Sequence, residues 1–121
     1  MRPDQRDVAH LWDMLDRARS VQQFVEGISF RDYVEDKKLQ AAVERCVEVI
    51  GEAANRVSRA FQQAHPEIPW RAIIAQRHVL AHDYDEVRPE RVYRVATVHV
   101  PDLIATLEPL VPETPPERPD A

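Results

Sequence analysis

The sequence is poor in residues that several common protein classes require. Only two of its 121 residues are glycine, Gly27 and Gly51, which argues against a turn-rich β protein. A single cysteine, Cys46, allows no disulfide within one chain and suits a reducing compartment. No apolar run approaches the roughly 20 residues of a membrane-spanning helix, and the charged N-terminus lacks the apolar region of a secretory signal. We therefore expect a cytoplasmic protein without a membrane segment.

The chain also lacks the positive charge of many nucleic-acid-binding proteins, since its formal net charge is -5 at pH 7. Most of this negative charge lies in residues 101–121, which hold five acidic residues and one arginine, so the rest is nearly neutral. Composition therefore neither supports nor excludes an RNA substrate. The length fits one domain, and a hydrophobic content of 44% is enough for a packed core.

Two long segments carry apolar residues at three- and four-residue steps, a pattern that predicts amphipathic helices. The first runs from about Asp4 to Glu26, and Gly27 follows it as a C-terminal cap. The second runs from about Asp36 to Ala64 and contains Gly51, which weakens a helix by about 1 kcal/mol relative to alanine. A glycine at this place suggests the close approach of another helix.

Shorter helices are predicted around these two. Ser29 and Asp32 resemble a capping box that starts one short turn of helix. Pro69 suits the first turn of a third helix, and Pro89 suits the start of a fourth. Pro101 is expected to interrupt that fourth helix before a last short one.

Together these segments predict an all-α bundle of four to five helices over residues 1–110. Residues 111–121 are Pro-rich and acidic, and we expect a disordered tail there. Cys46 is predicted to be a small buried hydrophobic residue. The aromatic residues on the apolar stripes are expected in the core, namely Trp12, Phe24, Phe61 and Trp70.

Ionisable residues concentrate in the stretch RHVLAHDY, residues 77–84. His78 and His82 are four residues apart and share one face of a helix. This spacing suits two metal ligands, but the zinc-protease motif needs glutamate where Val79 stands, and no second ligand cluster is apparent. The spacing therefore leaves a metal- or nucleotide-binding module open as one interpretation.

Arg77 and His82 present a geometric problem. A five-residue step turns about 140° around a regular helix, so the two side chains do not converge. Either the helix ends or distorts near Ala81, or the site faces a second subunit. The alternative without function is that Arg77 is a solvated charge and His82 a histidine favoured by the helix dipole.

Three stretches together resemble the HepT-like proteins of the HEPN superfamily. They are VIGEAANRVS on the second long helix, HPEIPW before the third, and the Arg-x4-His motif from Arg77 to His82 with Tyr84 after it. The resemblance extends over nearly the whole chain to about Leu110. The position after the arginine is often asparagine in this family, and here it is His78, which leaves the role of that position open.

The resemblance implies a bundle with two long antiparallel helices that forms a homodimer, with the two motifs facing each other in a cleft. It implies a metal-independent endoribonuclease without a cofactor, a toxin of a toxin-antitoxin module. Arg77 and His82 would be catalytic, and His78 and Asp83 would line the cleft. A histidine can transfer protons near neutral pH, and an arginine can stabilise a phosphorane through its planar fork.

Tyr84 matches the tyrosine that, in HepT-like toxins, accepts AMP from a nucleotidyltransferase acting as the antitoxin. Each AMP adds negative charge and bulk two residues from His82, and this would exclude RNA phosphates. The main alternative is a non-catalytic helical protein that only binds a nucleotidyltransferase. An intact pair of Arg77 and His82 favours the enzyme.

Overall fold

The computed structural model of the protein describes residues 4–82, 85 and 87–116. This part of the chain is mostly helical and contains no β-strand, so the prediction of an all-α bundle is confirmed. A π-helical turn joins the last two α-helices, and a 3-10 turn follows them. In chain order the elements are α1 (Gln5–Val25), α2 (Phe30–Glu35), α3 (Lys37–Arg56), α4 (Arg59–Ala64), α5 (Trp70–His82), α6 (Pro89–Arg94), the π turn (Val95–His99), α7 (Val100–Leu107) and the 3-10 turn (Glu108–Leu110).

A buried carboxylate ties the two long helices together. Asp7, in the first turn of α1, is 4% exposed. It accepts hydrogen bonds from the backbone N–H of Ser58 at 2.8 Å and from the Ser58 hydroxyl at 2.6 Å. Because Ser58 lies just beyond the end of α3, the start of α1 meets the end of α3, and the two helices run antiparallel. Nothing in the local sequence distinguishes Asp7 from the other acidic residues of α1.

The second long helix is shorter than predicted, because it ends at Arg56 instead of continuing to Ala64. Val57 leaves the helical region with φ -67° and ψ 138°. Ser58 then starts α4 by accepting a hydrogen bond from the N–H of Phe61 at 3.2 Å. The hydrogen bonds from Ser58 to Asp7 stabilise this break, and periodicity along the chain does not reveal such a distant partner.

Pro101 does not interrupt the last helix, which corrects a second prediction. The backbone stays in the right-handed helical region at both ends of the π turn. The N–H of Val100 donates to the carbonyl of Val95, five residues back. A proline in a regular helix clashes with the carbonyl four residues before it, and we attribute the wider π turn to the relief of that clash.

Most of the predicted stripes form the core, which includes Leu11, Leu15, Val21, Val43, Val47, Ile50 and Phe61. Cys46 is buried, as predicted. Phe24, however, is 40% exposed, because it lies about 100° around α1 from the buried Val25. Ala60, which the apolar pattern of the segment from Asp36 to Ala64 places on its buried side, is also exposed, because α4 is a separate helix that begins after the break at Val57.

Local capping follows the sequence closely at three helix ends. Gly27 has a positive φ of 72° just after α1, as a C-terminal glycine cap requires. Ser29 accepts a hydrogen bond from the N–H of Asp32 at 3.1 Å and so caps α2. Pro89 occupies the first turn of α6. None of the helices described is both long enough and apolar enough to cross a bilayer.

Candidate active site

Helix α5 carries the predicted site and is anchored to the core at both ends. Trp70, 7% exposed, donates from its indole N–H to the carbonyl of His65 at 3.0 Å. Its ring meets that of Phe61 edge-on, with centroids 6.2 Å apart. Leu80 is also 7% exposed and fixes the last turns of the helix. These apolar anchors leave Arg71, His78 and His82 exposed on the outer side of α5, whereas Arg77 is half-buried.

The middle of α5 lies directly against α3 at Gly51. A Cβ atom added to Gly51 would lie only 2.3 Å from the Cβ of Arg77 and 3.0 Å from the carbonyl oxygen of Ile73. A side chain at this position is therefore incompatible with the observed distance between the helices. The predicted close approach at Gly51 is confirmed, and the helix that approaches is the one that carries Arg77.

Arg77 and His82 lie on one continuous helix. Because α5 remains helical as far as His82, no distortion near Ala81 brings the two side chains together. Arg77 is half-buried beside α3, whereas His82 is exposed in the last turn. The one chain therefore presents the two residues on different sides of the helix, separated by about 140°.

His78 lies between Arg77 and His82 on the surface of α5. Its ring lies next to that of His82, with centroids 5.0 Å apart and the ring planes inclined at 53°. It also lines, together with Arg77, an open groove of about 1240 Å³ on the surface of α5. Two imidazoles at this separation can handle two different protons of a single reaction.

Two of the predicted site residues, Asp83 and Tyr84, lie outside the described residues. Within residues 4–82, 85 and 87–116, no group of three or more His, Cys, Asp or Glu side chains is arranged to hold a metal ion. The pair of His78 and His82 by itself supplies two ligands, which is fewer than the four of a structural zinc site.

Comparison with known proteins connects this helix to a family. The model of the family described as "Ribonuclease HepT-like" matches residues 14–110. This chain belongs to the HepT-like family. The match covers most of the bundle, including α5 and the Arg-x4-His motif. The resemblance noted from the sequence, to HepT-like proteins with an all-α HEPN-type bundle, is therefore confirmed.

Curated relatives of this HepT-like chain share most of its length. A Thermococcus cleftensis protein named "Probable ribonuclease HepT" is 35% identical over 101 residues, covering 84% of this chain and 92% of the relative. Two Methanocaldococcus jannaschii proteins, both provisionally named RNases, are 30% and 31% identical. Their alignments each cover 85% of this chain, and 95% and 85% of the relatives. No solved structure gives a significant match.

The contact at Gly51 yields a prediction about stability. Gly51→Ala should lower the free energy of unfolding, because forcing packed helices apart costs about 1–3 kcal/mol. The clash involves Arg77 Cβ and the Ile73 carbonyl, neither of which is a flexible chain end. This cost opposes a gain in helix propensity of about 1 kcal/mol. Urea unfolding followed by circular dichroism measures the difference.

Ala41→Gly is the matched control, since Ala41 is exposed on the same helix. It should lower the free energy of unfolding by about 1 kcal/mol through helix propensity alone. Nuclear magnetic resonance shifts of the α5 amides should change in Gly51→Ala and stay the same in Ala41→Gly. If Gly51→Ala stabilises the protein and leaves the α5 amides unshifted, the proposed close packing is wrong.

Proposed function

We propose that the protein is a cytoplasmic, metal-independent endoribonuclease, the toxin of a toxin-antitoxin module. The observation that carries this proposal is the grouping of Arg77, His78 and His82 on the last two turns of α5 in a HepT-like chain. A ribonuclease name given to the Thermococcus cleftensis relative, 35% identical, supports the same activity. RNA carries its own nucleophile, so a protein with these side chains needs no cofactor to cleave it.

The reaction begins when a base removes the proton of an RNA 2′-hydroxyl. The 2′-oxygen forms a bond to the adjacent phosphorus, and the bond from phosphorus to the 5′-oxygen of the next nucleotide breaks. An acid supplies the proton to that leaving oxygen. His82 takes one of these two roles. His78, whose ring centroid lies 5.0 Å from that of His82, is suited to the other or to lining the cleft beside it.

Arg77 acts on the phosphate. An arginine guanidinium carries a permanent positive charge and offers two parallel N–H groups to phosphate oxygens. The negative charge on these oxygens grows as the phosphorane forms, and a fixed cation is worth most at that stage. Packing of its Cβ against α3 limits the movement of Arg77, which reduces the reorganisation needed during the reaction.

A homodimer completes the site. The two residues diverge by about 140° on one straight helix, so they do not act readily on one phosphate within a single chain. Two α5 helices that face each other across a two-fold axis can combine Arg77 of one protomer with His82 of its partner. Such a cleft also includes His78 and Asp83 from both chains.

Tyr84 is proposed as the site at which a nucleotidyltransferase antitoxin attaches AMP. Its phenolic oxygen forms a bond to the α-phosphorus of ATP, and pyrophosphate leaves. The structure gives indirect support, because the other two tyrosines are poor acceptors. Tyr33 is fully buried, and burial together with the nearby Glu44 carboxylate raises its pKa to about 12. Tyr93 donates its hydroxyl hydrogen to the Ile28 carbonyl at 2.6 Å.

Substitution of the catalytic residues tests the ribonuclease directly. His82→Ala should reduce kcat by about 10²–10⁴-fold through the loss of an acid or base. Arg77→Ala should lower it by about 10²–10³-fold, as removal of an oxyanion donor does. Arg77→Lys should restore little, because an ammonium group lacks the planar fork. A labelled RNA assay with purified protein measures each rate.

The controls for these variants are Arg94→Ala and His99→Ala, which remove exposed residues of the same types outside α5. All variants should remain dimeric by light scattering. Cleavage should survive EDTA and leave a 2′,3′-cyclic phosphate and a 5′-hydroxyl. If His78 transfers a proton, His78→Ala should reduce kcat nearly as much as His82→Ala does. If His78 only lines the cleft, the reduction in kcat should be small. If His82→Ala cleaves RNA as fast as the wild type, the proposed active site is wrong. The alternative of a non-catalytic binding partner of a nucleotidyltransferase would then be favoured.

Modification provides a separate prediction. Incubation with the cognate nucleotidyltransferase, ATP and Mg²⁺ should increase the mass by multiples of one AMP and abolish RNA cleavage. Tyr84→Phe should prevent most of the increase, whereas Tyr93→Phe should not, since the Tyr93 hydroxyl is already bonded. Intact-protein and peptide mass spectrometry identify the residue. AMP found on Tyr33 or Tyr93 instead would contradict the assignment.

A further inference from the structure

The charged residues that line the groove containing Arg77 and His78 are all positive. The groove continues from the middle of α5 to α4, and Arg59 and Arg71 line it as well. None of the described residues that line it is acidic, although the whole chain has 21 acidic residues and 16 Lys and Arg. A groove lined by cations in an acidic protein points to an anionic ligand.

The charges of Arg59 and Arg71 are not neutralised within the described chain. Both side chains belong to exposed residues, and neither forms an ion pair with a described carboxylate. Arg45, by contrast, pairs with Glu48 at 2.6 Å and with Glu52 at 3.6 Å on α3. The two arginines of the groove therefore keep their positive charges available to a ligand.

We propose that this groove binds single-stranded RNA, and that Arg59 and Arg71 contact phosphates beside the one that is cleaved at Arg77. The proposal rests on the proposed function and specifies how that function holds its substrate. Arg71 precedes Arg77 by six residues, which places their backbones about 9 Å apart along the helix axis and about 120° apart around it. The two arginines thus meet different phosphates of one strand.

The groove offers little for recognition of bases. Trp70 lines it, but the residue is 7% exposed and its indole N–H is bonded to the His65 carbonyl. It cannot serve as a stacking platform of the kind that other single-strand-binding proteins use. The amide N–H groups of Gln62 donate to the Ala54 and Val57 carbonyls. Asn55 and Gln63 also line the groove and are exposed, but no aromatic platform holds a base beside them. We therefore expect phosphate contacts to dominate and the preference for sequence to be weak.

Binding to an RNA that cannot be cleaved tests the proposal. The probe is a fluorescein-labelled, fully 2′-O-methylated strand of about 12 nucleotides, within the usual size of single-strand sites. Fluorescence anisotropy gives Kd for the full-length protein at several salt concentrations. Each lost phosphate contact should lower the slope of log Kd against log salt by about 0.7. Arg59→Gln/Arg71→Gln should therefore lower it by about 1.4 and raise Kd.

The control is Arg17→Gln/Arg31→Gln, which removes two exposed arginines from outside the groove and changes the net charge equally. Its slope should equal that of the wild type. With cleavable RNA, the groove variant should raise KM and largely keep kcat, whereas Arg77→Ala lowers kcat. Binding with the predicted slopes but without cleavage by any form of the protein would reject the ribonuclease and keep the groove.

Two results would overturn the inference. In the first, the groove variant binds the RNA with the wild-type slope and Kd while the wild type still cleaves, which leaves the ribonuclease intact. In the second, the slope is unchanged but the variant loses binding to the nucleotidyltransferase in a pull-down of the two purified proteins. The groove would then be a protein-binding surface.

Discussion

The contact between Gly51 and Arg77 sets the distance between α3 and α5, and the rest of the site depends on it. Because residue 51 has no side chain, the Cβ of Arg77 can lie where a Cβ atom on residue 51 would clash with it. This packing holds the base of a charged side chain against the core. Its long aliphatic stem tolerates partial burial while its head stays in the groove. A cation that is fixed at its base can stabilise phosphate charge with little reorganisation.

The same helix serves stability and chemistry on opposite sides. Trp70 and Leu80 bury apolar surface, while His78 and His82 remain exposed with their rings side by side. This division accounts for the mixture of apolar and ionisable residues in the stretch from Arg77 to His82. It also separates Arg77 from His82 around one axis. A second copy of α5 is the simplest way to bring both groups to a single phosphate.

Much of the fold could be predicted from the sequence, because it depends on local patterns. The stripes of α1 and α3, the cap at Gly27 and the close approach at Gly51 all follow from residue spacing and glycine chemistry. The end of α3 could not be predicted, since it depends on hydrogen bonds between Ser58 and Asp7, 51 residues apart. The π turn before Pro101 likewise reflects a local steric adjustment that periodicity does not encode.

Only the part of the candidate site that lies on the single helix α5 could be predicted from the sequence. Spacing identified the shared face of His78 and His82 and the divergence of Arg77. It did not reveal Arg59 and Arg71 as neighbours of Arg77, because α4 changes direction after the break at Val57. The negative total charge concealed this local accumulation of arginines. The groove is formed only when α4 and α5 pack together. Its charge is then that of the residues that line it, and acidic residues elsewhere in the chain do not contribute.

Arg77 and His82 are proposed to act on RNA across a two-fold interface. A heterodimer with one Arg77→Ala chain and one His82→Ala chain, purified through two different tags, tests this proposal most directly. If the site combines residues of both chains, one of its two equivalent sites keeps an intact Arg77 and an intact His82. The heterodimer should then cleave RNA at about half the wild-type rate, although both parent homodimers are nearly inactive. A heterodimer as inactive as its parents would contradict the shared site.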